Sequence, residues 1–169
     1  MERRMAESLV KLDLVKFGVY YCDPPPEYLQ SWDVTRRILA RLNHEVSIAG
    51  ARLLVMSVPA INEVDEDVME TIERNAPQPG RLCLEQASAH RRLGELLAEL
   101  DIDYLDLLPA FRKARRQTGV ELFRRSDQHW NPQGHALAAR ELAEALENRG
   151  YFSLPAESAS GEHGQAELH

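Results

Sequence analysis

Leu53-Leu54-Val55-Met56-Ser57-Val58-Pro59 is the stretch that decides the fold: a nearly unbroken apolar run ended by a proline. Consecutive apolar side chains point to opposite sides of a strand, so such a run needs cover on both faces, as a parallel strand between two helical layers has. What precedes it is helical. Val34, Ile38, Leu42 and Val46 recur every four residues, Ser31 or Asp33 can cap, and Gly50 follows as a stop. Together they predict an amphipathic helix. A helix feeding a buried strand is half of a βαβ unit.

The same alternation returns downstream. Leu84 to Leu100 carries Ala87, Leu93, Leu96, Leu97 and Leu100 at helical spacing, and Ile102-Asp103-Tyr104-Leu105-Asp106-Leu107 reads as a second short strand. Pro109 in a first turn opens a helix from Ala110 to Gln117 that Gly119 closes. Asn131 as cap and Pro132 in the first turn open the last helix, which is expected to bury Leu137, Ala138, Leu142, Ala145 and Leu146 before Gly150. Ile61 to Pro79 is acidic and weakly periodic, suiting a short helix and a loop ended by Asn75-Ala76-Pro77-Gln78-Pro79-Gly80. Helices alternating with buried strands give an α/β class with a parallel sheet. A purely helical adaptor would instead leave 53–58 and 104–107 unpaired.

Around this centre the chain divides into three parts. Residues 1–30 read as a helical and proline-rich insertion, because Pro24-Pro25-Pro26 supplies no backbone donors. Residues 31–152 form the α/β domain, and 153–169 an acidic tail without an apolar face, expected to be disordered. The length of 169 residues and 44% apolar content suffice for one packed domain. A net charge of −7 argues against nucleic acid and anionic lipid as partners, since the overall field repels phosphate. The basic run of Arg112, Lys113, Arg115, Arg116, Arg124 and Arg125 alternates with core-type residues and reads as solvated helix face. Cys22 and Cys83, far apart and alone, suggest neither a zinc site nor a disulfide framework, which is compatible with a reducing compartment. No stretch has membrane-spanning length, and Lys11, Asp13 and Lys16 interrupt what would be a signal core. The chain as written therefore reads as cytoplasmic, and export would require an upstream segment.

Ligands of open α/β sheets sit beyond the carboxyl ends of the strands, in loops leading into helices. The loop from Phe123 to Asn131 has that position, and it contains Asp127-Gln128-His129. With one residue between them, the carboxylate and the ring project to the same side if the backbone is extended. Asp127 would then fix the imidazole tautomer, leaving the other ring nitrogen of His129 to take a proton from a hydroxyl. The competing reading is of two ordinary polar residues near a helix N-terminus. His135 with this pair does not make a metal site, because it lies within the helix and no Glu-x-x-His partner accompanies it; no metal or cofactor is expected.

Asp127-Gln128-His129-Trp130-Asn131-Pro132-Gln133-Gly134-His135, followed by an Ala/Leu-rich helix, resembles the last block of the SGNH (GDSL-like) hydrolases with an Asp-x-His-Trp-Asn sequence and a downstream Gly-His. Trp32 with Thr35, the 53–59 strand and Leu105-Asp106-Leu107-Leu108-Pro109 are similar to further landmarks in order, so the resemblance runs from about Ser8 to Leu146. It implies a three-layer αβα, flavodoxin-like fold and hydrolysis or transfer of acyl esters, often on carbohydrates. His129 matches the base and Asp127 its orienting acid. Trp130, which can stack on a sugar or, the favoured reading, seal the base of the last helix, and Asn62, past the first strand and equally suited to cap a loop, are candidate substrate contacts.

The family's Gly-Asp-Ser nucleophile block near the N-terminus and its oxyanion Gly and Asn have no counterpart here. Ser57 reads as a small core residue, Ser126 as a turn residue, and Cys22 as a remote substitute. The resemblance thus implies a partial fold lacking its N-terminal strands. The exposed edge of the 53–58 strand would pair with a complementing half or a second copy. Two functions compete: part of an esterase or acyltransferase acting on a small-molecule or carbohydrate ester, and an inactive remnant that binds a ligand or partner.

Overall fold

The computed structural model describes residues 18–24, 26–75, 82–83 and 88–152. The readings of 1–17 as part of an insertion and of 153–169 as a disordered tail lie outside these. After a short 3-10 turn at Gly18–Tyr20 come helix α1 (Pro26–Ile48), strand β1 (Leu54–Ser57), and helices α2 (Ile61–Val64), α3 (Glu66–Asn75) and α4 (Ser88–Glu99). Strand β2 (Asp103–Asp106) and helices α5 (Leu108–Thr118) and α6 (Pro132–Asn148) complete the described part.

The strands run parallel, with Val55 opposite Tyr104 and Met56 opposite Leu105. Their alternation sorts the core into two layers. Val55 and Tyr104 pack with Leu96, Leu97 and Ile102, together with Trp32 and Leu39 of α1. Met56 and Leu105 pack on the other cluster, where Leu107, Leu108 and Phe111 meet Ile61, Val64, Leu137 and Ala138. Both faces are covered, which is why neither strand alternates polar with apolar. This is a partial αβα, flavodoxin-like arrangement, and the parallel pairing excludes the helical adaptor.

Local rules set the element ends. Asn131 caps α6 by accepting from the Gly134 N–H at 3.0 Å, and Pro132 occupies a position where its missing donor costs nothing. Gly119 closes α5 in the left-handed conformation, φ 67°. The start of α1 departs from expectation: it begins at Pro26, so Ser31 and Asp33 lie inside the helix instead of capping it. A proline fits a first helical turn, so the third proline initiates what the run of three seemed to forbid.

The inward side of α1 also differs. Trp32 and Leu39 pack against the core, and Asn43 donates to the Leu100 carbonyl at 3.1 Å. Three of the four residues in the repeat that identified the helix, Val34, Ile38 and Leu42, are exposed, with Ile38 at 61%, while Val46 is half-buried. Among the described residues each strand has one paired edge only.

The two cysteines correct a second expectation. Cys22 and Cys83 form a disulfide with Cα atoms 5.0 Å apart. Tyr21 bridges Leu82 in antiparallel fashion, and both are buried beside Met69. The segment before α1 is therefore pinned to the segment before α4 by a tertiary contact that spacing along the chain does not reveal. The basic run is neutralised locally: Arg115 pairs with Asp65, Arg116 with Glu66 and Arg125 with Glu121, while Arg112 donates to the Glu63 carbonyl. No described helix is long and apolar enough to cross a membrane.

Candidate active site

The loop joining α5 to α6 folds back on itself. Phe123 and Trp130 form an antiparallel bridge, and the Asn131 N–H donates to the Leu122 carbonyl at 3.0 Å. Inside that closure Arg124 N–H donates to the His129 carbonyl and Gln128 N–H to the Arg124 carbonyl, each at 2.8 Å. Gln128 takes a left-handed φ of 63°. The segment is a tight turn, not the extended chain that an i, i+2 argument assumes.

The turn nonetheless brings Asp127 and His129 together by another route. Asp127 Oδ1 accepts the backbone N–H of His129 at 3.1 Å, an Asx-type bond that wraps the chain around the carboxylate. Oδ2 then stands 3.6 Å from His129 Nδ1. That separation is longer than a hydrogen bond. The His129 side chain is 82% exposed, and among the described residues no serine hydroxyl hydrogen-bonds it.

Trp130 ties this loop to the strand ends. Its indole N–H donates to the Pro59 carbonyl, just past β1, at 3.4 Å. One side of its ring packs on Phe111 at 5.0 Å between centroids, and the exposed His135 ring meets it edge-on at 5.5 Å. Gly134 permits this seat. A Cβ there would stand 2.4 Å from the Leu122 carbonyl oxygen and 3.2 Å from Trp130 Cβ. Asn62, in the first turn of α2, hydrogen-bonds the Tyr20 phenol. Burial, with the nearby Glu63 charge, outweighs that bond and pushes the Tyr20 phenol up to about 12.

A second cluster lies beneath the strand ends, and sequence reasoning missed it. His90 of α4 is buried, with Nδ1 at 2.7 Å from Asp106 Oδ1 and Nε2 at 3.1 Å from Glu63 Oε1. Ser57 donates to Asp106 at 3.1 Å and lies 3.0 Å from the same ring nitrogen, while Tyr104 donates to Ser57 at 2.8 Å. Burial alone would lower the His90 pKa, but bonds to Asp106 and Glu63 more than offset this and push it up to about 9. Burial acts to raise the Asp106 pKa, yet His90 and the Leu108 N–H hold it below the ordinary value. The ring is thus a cation at neutral pH.

That protonation bears on the replacement nucleophiles. An imidazolium cannot take the proton of Ser57, whose hydroxyl already serves Asp106, so this Ser-His-Asp grouping is not a catalytic triad. Cys22 has no thiol to offer, being in the disulfide. Ser126 lies exposed in the 125–127 turn. The signal for His90 was present in the sequence: with Leu93 and Leu97 it occupies one face of α4, a polar residue on an apolar stripe. Glu63 between Ile61 and Val64, and Asp106 between Leu105 and Leu107, are its counterparts. Among the described residues no three His, Cys, Asp or Glu side chains gather as a metal site.

Residues 24–169 match a family model described as an SGNH hydrolase-like domain, acetyltransferase AlgX. No curated protein and no solved structure matches the chain.

Proposed function

Because this chain belongs to the family of SGNH hydrolase-like domains that includes the acetyltransferase AlgX, we propose that it supplies the base-bearing part of an acyl-ester site. His129 is the general base, Asp127 orients it, and Trp130 and Asn62 contact substrate. The serine nucleophile comes from sequence outside residues 1–169. The observation that carries this reading is the Asp127–His129 contact, made on an exposed loop tied to the carboxyl end of β1.

The chemistry follows from which nitrogen is engaged. Asp127 Oδ2 stands on the Nδ1 side of the ring, and in the proposed site it closes to a hydrogen bond that keeps the ring proton there, leaving the Nε2 lone pair toward solvent. A serine hydroxyl delivered to Nε2 would lose its proton as it attacks an acyl carbon. Asp127 would stabilise the imidazolium formed, and that imidazolium would return the proton to the departing alcohol. The substrate is a small-molecule or carbohydrate ester, with the open part of the Trp130 indole as a sugar platform.

Completion by further sequence is supported by the edge of β1 that is unpaired among the described residues and by the exposed Val34, Ile38 and Leu42 stripe. A complementing half of the sheet is the occupant proposed. The Cys22–Cys83 disulfide supports residence in an oxidising, extracytoplasmic compartment over the cytoplasm. The competing role, an inactive ligand- or partner-binding remnant, is favoured by the absence of a hydroxyl partner for His129 among the described residues.

Hydrolysis of p-nitrophenyl acetate by residues 1–169 alone tests where the nucleophile resides. The expected result is the same background rate for the chain and its His129→Ala variant. Turnover by the isolated chain that disappears with His129 would refute an external nucleophile.

A further inference from the structure

We infer that His90 is a positioning residue for the Asp127–His129 loop: by bridging Glu63 and Asp106 it fixes the turn after β1 on which Trp130 is anchored. The inference rests on the proposed function for its catalytic consequence, but its structural content stands independently.

The bridge is geometric. Glu63 Oε1 meets His90 Nε2, while Glu63 Oε2 accepts the Ala60 N–H at 2.9 Å. One carboxylate therefore holds both the imidazole and the backbone of the turn between β1 and α2. On the other side Asp106 Oδ1 meets Nδ1 and also accepts the Leu108 N–H at 3.0 Å, holding the turn between β2 and α5. Ionised carboxylates only accept, so both ring nitrogens must donate for this arrangement to be satisfied.

From Ala60 the path to the site is one residue long. The Pro59 carbonyl receives the Trp130 indole N–H, and Trp130 adjoins His129. Pro59 is itself fully buried. Losing the His90 proton would take the imidazole donor from the buried Glu63 carboxylate, leaving it only the Ala60 N–H, and the turn carrying Ala60 and Pro59 would be the element to move.

The groups facing His90 are Glu63 from α2, Asp106 and Tyr104 from β2, and Ser57 from β1. Burial, with the Asp106 and Glu63 charges, outweighs the lowering effect of the Ser57 bond and pushes the Tyr104 phenol up to about 12, so it remains neutral while His90 titrates. Among the described residues no other ionisable side chain is bonded to the ring.

The test is a pH titration of the folded wild-type chain followed by NMR. It reads the His90 ring, the Trp130 indole N–H and the His129 Cε1 proton between pH 6 and 10. The inference predicts that His90 carries both ring protons at pH 7. The Trp130 signal should then shift with a midpoint near 9, and the His129 signal should show an inflection at that same midpoint. His90→Gln should abolish the shift at Trp130. Trp130→Phe should leave the His90 midpoint in place while removing the inflection at His129.

A His90 midpoint near 9 with Trp130 and His129 unmoved would overturn the inference, as would a neutral His90 at pH 7. Loss of all core signals together at that midpoint, Phe111 and Leu97 included, would also overturn it by making His90 a determinant of global folding only. A negative result in ester hydrolysis touches the proposed function and leaves this coupling standing.

Discussion

Replacing Gly134 with Ala sets two opposed effects against each other at the point where the candidate loop meets α6. Alanine is the better helix former by about 1 kcal/mol, so propensity alone predicts a gain. Its Cβ would, however, lie 2.4 Å from the Leu122 carbonyl oxygen, where an ordinary C···O contact needs about 3.3 Å. The oxygen must retreat by most of an ångström, yet it is the acceptor for the Asn131 N–H, and Asn131 is the cap of α6. Overpacking of this kind costs about 1–3 kcal/mol, and loss of the Asn131 bond adds about 1 kcal/mol. The clash wins, giving a net destabilisation of about 1–3 kcal/mol. Urea unfolding followed by circular dichroism measures it. Gly119→Ala serves as contrast: it meets no neighbour within 4 Å but sits at φ 67°, so only about 1 kcal/mol of backbone strain is expected. A Gly134→Ala protein as stable as the wild type would refute the steric reasoning.

Two further outcomes follow from the buried groups. The His90 pKa is raised in the folded state from 6.5 to about 9, so its stabilisation is whole below about pH 6.5 and is lost as pH rises through 9. On the order of 3 kcal/mol should disappear between pH 7 and pH 10 in urea titrations, and His90→Gln should flatten that slope; a pH-independent wild type would contradict the bridge. Reducing the Cys22–Cys83 disulfide, which spans a sequence separation of 61, should lower stability by about 2–4 kcal/mol. Unchanged unfolding after thiol titration confirms full reduction would show that the link contributes nothing to the fold.

Much of this architecture is written in local patterns. The β1 run, the Asn131-Pro132 start of α6 and the Gly119 stop of α5 are short-range signals, and the chain obeys them. What escaped depends on partners distant in sequence. The side of α1 that faces the core was chosen by Trp32 and Leu39, because α4 and the sheet lie there, although Val34, Ile38 and Leu42 form the more regular stripe. Cys22 meets Cys83 only because Tyr21 and Leu82 pair. His90, Glu63 and Asp106 are each a single polar residue beside apolar ones in the sequence, and only the tertiary fold makes them mutual partners. The closeness of Asp127 and His129 arises from an Asx turn and a left-handed Gln128, a conformation that residue spacing does not specify.

The most direct measurement is kcat/KM for acetyl-ester turnover by residues 1–169 together with the serine-bearing sequence proposed to complete the site, before and after His129→Ala. If Asp127 steers His129 as the base, the substitution should lower kcat/KM by about 10³-fold or more, through kcat. Turnover that survives unchanged without the imidazole would remove His129 from the chemistry, and with it the proposed role of this chain.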